Sequence, residues 1–335
     1  MSLPSEDLVD RQLAERPTDF EALVAKADLR SAAGDDRAAV SFYKAALRSA
    51  GAARAPLPFA WKPAVERAQA AIAAATLGFE QHLERRLALA GLGPGRRPPR
   101  FQHSLDLMTG RRHTQLQLQQ PGAYYYPDLP QRRYYERGEL GWAAQIEAAA
   151  PAIRAELDAW LASGQDTSFT PYLVSDSSRP RSDYHGLVDN PAWSTLYIWE
   201  KGGAVADLAP HFPKTLAAVG ALDLPHITVR APSVLFSRLG PGARIPPHHG
   251  MLNARLVCHL PLIVPPKCGF RVGGETRAWE AGKLLVFDDS VEHEAWNGSD
   301  QDRIILIFDV WRPELDAEER RAVTTLFEAI DSYGS

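Results

Sequence analysis

Cysteine is almost missing from this chain. Cys258 and Cys268 are the only two in 335 residues, and they form no CxxC pair, so a disulfide framework is excluded. An excess of basic charge is also absent: 37 Lys and Arg against 41 Asp and Glu give a net charge of −4. Dedicated nucleic-acid binders are usually basic, so no nucleic-acid partner is expected. No run approaches the roughly 18 apolar residues of a membrane-spanning helix, and no charged-then-apolar leader opens the chain. The expectation is a cytoplasmic, reducing setting with no membrane partner. The 45% hydrophobic and 23% charged content is that of a globular protein and excludes wholesale disorder. At about 150 residues per domain, the length predicts two domains.

Residues 1–90 are Ala-rich and helical in period. Within Phe20–Leu47 a Gly34-Asp35 break separates Leu23 and Ala27 from Ala39, Tyr43 and Ala46. This stretch resembles one tetratricopeptide unit, in which small residues let two helices cross. Glu6–Ala14 and Val65–Leu89 are predicted to complete a helical layer. One repeat cannot bury its own face, which leaves three readings: a partner groove, a packing collar, or pairing between copies as a homo-oligomer. Residues 91–137 read as a linker rich in Arg, Tyr and Pro. Tyr124-Tyr125-Tyr126 there is either pocket lining or core.

From 138 to 335 the prediction is a β-rich domain with flanking helices. Helices are expected at Gly138–Ser163, kinked or divided by Pro151, at Lys214–Leu222 and at Ala317–Ile330. Short β-rich runs, Ile227–Leu239, Ala254–Val264, Gly269–Val272, Leu284–Phe287 and Ile304–Val310, are separated by turn residues. That spacing predicts a sandwich or barrel.

Two histidines in that region, His248 after Pro246-Pro247 and His293 after Phe287-Asp288-Asp289-Ser290, can meet on one metal as neutral imidazoles. Arg303 opens the apolar strand Ile304–Phe308. A desolvated guanidinium needs a partner, either a protein carboxylate or a bound dicarboxylate. Asp288 and Asp289 read as turn caps, and Trp279, Trp296 and Trp311 as core.

The blocks Pro247-His248-His249-Gly250, Asn253-Ala254-Arg255-Leu256, His259-Leu260, Trp279-Glu280-Ala281-Gly282-Lys283, Phe287-Asp288-Asp289-Ser290, Glu292-His293-Glu294-Ala295-Trp296 and Asp309–Leu315 resemble, in order and nearly in spacing, the aspartyl/asparaginyl β-hydroxylase family. The resemblance implies an α+β chain: a helical part, then a double-stranded β-helix of the jelly-roll, cupin-like kind. It also implies Fe(II), 2-oxoglutarate as cosubstrate and O2, with hydroxylation of a C–H bond and release of CO2 and succinate. His248 and His293 would hold the iron. Gly250 stands where the wider superfamily has a carboxylate ligand, and this family lacks that ligand too. Arg303 and Ser237 would bind the far carboxylate of 2-oxoglutarate, with His259 and Trp199 at its other end. Arg255 is assigned to a substrate or cosubstrate carboxylate, or to a structural salt bridge. Animal members show Arg-Leu-Arg where this chain has Arg255-Leu256-Val257. The substrate expected is an Asp- or Asn-like residue in a protein or peptide, or a small acidic metabolite. The rival reading is a non-catalytic helical-repeat adaptor with a vestigial oxygenase domain.

Overall fold

The computed structural model describes residues 4–52, 58–112, 118–164, 168–176, 178 and 184–333. Two compact units divide it: one formed by Met1–Leu89, Val174–Tyr184 and Ala329–Ser335, the other by Ala90–Leu173 and His185–Glu328.

The first unit is helical: α1 (Glu6–Glu15), α2 (Phe20–Ala32), α3 (Asp36–Ala52) and α4 (Lys62–Leu89). Gly34 takes φ +79° in the turn between α2 and α3, a conformation that favours glycine. Asp35 follows it and caps α3 by accepting from the Ala38 amide. The two helices pack through Leu23, Ala27, Ala39, Phe42 and Ala46, and Val9 and Leu13 of α1 and Ala68 of α4 extend the same core. Lys26 is buried there and holds the Glu6 and Asp10 carboxylates at 2.7 and 2.6 Å.

The second unit contains α5 (Pro99–Met108), β1 (Tyr134–Tyr135), α6 (Ala143–Ala162), β2 (Thr170–Pro171), β3 (Trp193–Glu200), β4 (Gly203–Ala204), α7 (Pro213–Gly220), β5 (Val234–Leu239), β6 (Arg244–His248), β7 (Arg255–Ile263), β8 (Cys268–Val272), β9 (Glu275–Arg277), β10 (Leu285–Phe287), β11 (His293–Asn297), β12 (Arg303–Trp311) and most of α8 (Ala317–Asp331). Strands β1 to β12 fall into two antiparallel sheets. The larger has the order β1-β10-β7-β12-β5-β3-β2, with β4 also on β3, and the smaller β6-β11-β8-β9. The interleaved orders β10-β7-β12-β5 and β6-β11-β8-β9 are those of a double-stranded β-helix.

Strand alternation sorts the residues of the larger sheet. Ile304, Leu306, Phe308 and Val310 of β12 join Leu256, Cys258 and Leu260 of β7, Val234 and Phe236 of β5, and Ile146, Ile153, Leu157 and Trp160 of α6 in one core on the helical side. Arg303, Ile305, Ile307 and Asp309 consequently turn toward the smaller sheet. Both faces of β12 are covered, which explains its nearly unbroken apolar run.

Several expectations change. Pro151 neither divides nor ends α6, which is continuous over Ala143–Ala162. The stretch 91–137, read as a linker, carries α5 and β1 and belongs to the second unit (its residues 113–117 lie outside the described ones). Tyr124 and Tyr126 are core residues: Tyr124 shares a hydrogen bond with Ser104, and Tyr126 donates to Glu319. The strand expected from Ile227 begins at Val234. Strands β3, β9 and β11 carry little alternation legible in the sequence.

Candidate active site

The centre of the site is a strand pair. His248 ends β6, His293 begins β11, and the two are direct register partners. Their ring centroids are 4.0 Å apart. The His248 Nδ1 lies 2.8 Å from the Pro246 carbonyl and the His293 Nδ1 3.0 Å from the Val291 carbonyl. A carbonyl can only accept, so each Nδ1 carries the proton and each Nε2 keeps its lone pair. Burial lowers the pKa of His248, and burial together with the neighbouring His248 lowers that of His293 to about 3. Two neutral imidazoles with basic Nε2 atoms form the donor set that a divalent metal takes. Among the described residues, no group of three or more His, Cys, Asp or Glu is placed to hold a metal.

Gly250, two residues after His248, shows why no third ligand can arise there. A Cβ at Gly250 would fall on the Asp289 carboxylate. Asp289 therefore fills the space that a side chain at 250 would need. Its Oδ1 is buried with no hydrogen-bond partner, and burial pushes its pKa up to about 7. Reading Asp289 as a turn cap missed this position, because strand spacing does not report where a loop carboxylate lands.

On the inner face of the larger sheet, Ile305 is flanked in register by Ser237 on β5, and Ser237 by Thr195 on β3. Ile307 is flanked by His259 on β7. Arg303 lies on the same face, only 1% exposed, with Nε and Nη2 unpartnered. Its guanidinium stacks 4.6 Å from the Trp279 ring, and burial lowers its pKa to about 9. His259 Nδ1 and Trp279 Nε1 are likewise buried without partners. Burial and the charge of Arg303 hold His259 well below its usual pKa, hence neutral. Phe270 and Phe287 pack on His259 at 5.0 and 4.8 Å, and Phe287 lies 5.4 Å from His293, so the polar hole and the histidine pair share one aromatic wall. Buried polar atoms are normally satisfied. Several orphans around one guanidinium make a cradle for an anion.

Of the residues singled out in the sequence, His248, His293, Ser237, His259 and Arg303 thus gather on the inner side. Trp199 does not join them. After an irregularity between Tyr197 and Trp199, Trp199 pairs with Val234 and packs on the core of the helical side. Arg255 is on the inner face but already engaged: its Nη1 lies 2.7 Å from Asp309 and its Nη2 2.9 Å from Asp289. Of the two readings of Arg255, this is the salt bridge. Trp279, read as core, belongs to the cradle. Asp309 was not singled out, although it stands six residues after Arg303 on the same strand and so shares its face.

Residues 147–313 match the sequence profile described as aspartyl/asparaginyl beta-hydroxylase. Among similar curated proteins, the mouse aspartyl/asparaginyl beta-hydroxylase is 38% identical over 135 residues, 40% of this chain and 18% of the relative. The ornithine lipid ester-linked acyl 2-hydroxylase of Rhizobium tropici is 34% identical over 197 residues, 56% of this chain and 63% of the relative. The human aspartate beta-hydroxylase domain-containing protein 2 is 30% identical over 214 residues, 63% and 55% of the respective chains. This chain thus spans between 18% and 63% of the length of these relatives. The profile match contains every residue of the histidine pair and the cradle, and through residues 147–313 this chain belongs to the aspartyl/asparaginyl β-hydroxylase family.

Proposed function

We propose that this protein is an Fe(II)- and 2-oxoglutarate-dependent oxygenase that hydroxylates a C–H bond, on an Asp- or Asn-like residue of a protein or peptide or on a small molecule, in the cytoplasm. The observation that carries the reading is Arg303: buried, charged, and unpartnered at Nε and Nη2 on the same inner face as His259 and beside Trp279. A guanidinium left in that condition is costly unless a ligand carboxylate completes it bidentately. The His248 and His293 Nε2 atoms would hold the iron, which with 2-oxoglutarate and O2 supplies the oxidising power for C–H cleavage.

The chain's own part is positioning. The Pro246 and Val291 carbonyls fix both imidazole tautomers, so the ligand nitrogens need no proton release at neutral pH. Arg303 and Ser237 anchor the cosubstrate's far carboxylate. His259, Phe270 and Phe287 wall off water between that anchor and the histidines. No side chain has to act as a general base, in keeping with a site whose histidines are neutral and engaged.

The test is anaerobic addition of Fe(II) and 2-oxoglutarate, followed through the visible metal-to-ligand charge-transfer band. The expected result is a band in the wild type that is absent in His248→Ala and weakened in Arg303→Ala. A wild-type protein that binds neither iron nor 2-oxoglutarate would refute the reading.

A further inference from the structure

The inner face beside the histidine pair, away from the Arg303 cradle, has a charge balance that bears on the substrate. Strand β7 lines it with Arg255 and Val257, and only further along reaches the His259 of the cradle. Val257 stands in register between Asp309 on β12 and Phe287 on β10, so an apolar side chain occupies this row. Arg255 gives one end of its guanidinium to Asp309 and the other to Asp289. Asp289 in turn abuts Gly250, two residues from His248, which brings the cluster next to the histidine pair. One guanidinium thus faces two carboxylates. The trio is neutral when one carboxylate is protonated and negative when neither is; it turns positive only when both are protonated. Across from it, Tyr172 stacks on Trp193 at 4.2 Å, and Trp193 lies 6.4 Å from the His248 ring. The wall on this side thus combines aromatic and apolar side chains with the cluster of Arg255, Asp289 and Asp309, in which carboxylates outnumber the guanidinium.

A substrate carboxylate placed here would find both Nη atoms of Arg255 already held by Asp309 and Asp289 and would lie beside those two carboxylates, and like charges in a partly buried site repel. An N–H group meets carboxylate oxygens that accept it, including the unpartnered Asp289 Oδ1. We infer that the substrate group held beside the histidine pair is an uncharged hydrogen-bond donor of the carboxamide type, and that a carboxylate is rejected there. This rests on the oxygenase reading above for the place of the reacting carbon. It narrows the expected substrates to the amide side of the Asp/Asn-like pair and sets aside the small acid.

The experiment uses two matched probes, N-acetyl-L-asparagine N-methylamide and N-acetyl-L-aspartate N-methylamide. Each is titrated into the anaerobic protein carrying Fe(II) and 2-oxoglutarate, and the perturbation of the charge-transfer band is read. The amide is expected to act at a concentration at least tenfold below that of the acid. Asp309→Asn, which leaves Arg255 with one carboxylate, is expected to shrink that ratio or invert it. Equal or tighter binding of the acid, no perturbation by either probe, or a ratio unmoved in Asp309→Asn would overturn the inference. Calorimetry of the same probes on the metal-free protein separates this outcome from failure of the oxygenase reading. A preference for the amide there, with no band on adding iron and 2-oxoglutarate, sinks the oxygenase and leaves the carboxamide preference standing.

Discussion

Two arginines in the β-rich unit, Arg303 and Arg312, are both almost completely buried, yet their surroundings are opposite. Arg312 is saturated. Its Nη1 holds Asp288 at 2.7 Å, its Nη2 donates to the Pro130 carbonyl and the Tyr135 hydroxyl, and Glu314 lies 3.4 Å from its Nε. Asp288 is completed by Gln119 and by Ser290, and Asn253 ties Gln119 to Tyr126. Arg303, nine residues earlier, has an indole, a thiol and a neutral imidazole around it and lacks partners at two nitrogens. A guanidinium whose partners all come from the chain fastens loops to a sheet. One whose partners are left out keeps donors in hand for a ligand carboxylate, the role proposed above for Arg303.

The comparison can be broken most forcefully at Arg312. Arg312→Met strands Asp288 in the interior, and the expected loss is about 3–5 kcal/mol of unfolding free energy, read by urea denaturation. Arg303→Met should cost little or no stability in the same titration, since it removes an uncompensated charge, while 2-oxoglutarate affinity falls about 100-fold, the scale of losing hydrogen bonds to a charged group. Equal destabilisation by the two substitutions would erase the distinction. Gly269→Ala gauges how tightly the sheets are filled beside the cradle: a Cβ there would run into the Trp296 indole, and overpacking of that kind costs about 1–3 kcal/mol. The smallest effect is expected from Ser237→Ala. Removing one neutral hydroxyl donor should weaken 2-oxoglutarate about fivefold, close to 1 kcal/mol, with the unfolding curve unchanged.

How much of this could be read in the sequence depended on whether a residue's position follows from strand alternation. The apolar run after Arg303 announced a strand covered on both faces and an arginine in need of a partner, and the histidines stood at strand ends. Trp279 was unreadable for the opposite reason: it follows the short strand β9 in a loop, and its ring reaches Arg303 through the fold. Asp289 is another loop residue, placed by the neighbouring Gly250. Trp199 shows the hazard of counting by twos, because one irregularity in β3 turned it to the helical side. In Arg255 the sequence carried the charge but not its occupancy, which depends on two carboxylates 34 and 54 residues away.

The ends of the two sheets bear on how copies of this chain can associate. On the larger sheet the outermost strands, β1 and β2, are two residues each, and β4 adds two more along β3. On the smaller sheet β9 is three residues long, and β6 carries Pro246 and Pro247, which have no amide hydrogen to offer. An incoming chain finds no long ladder of open amides and carbonyls at any of these borders. Strand exchange and fibre growth through these sheet borders are thereby blunted.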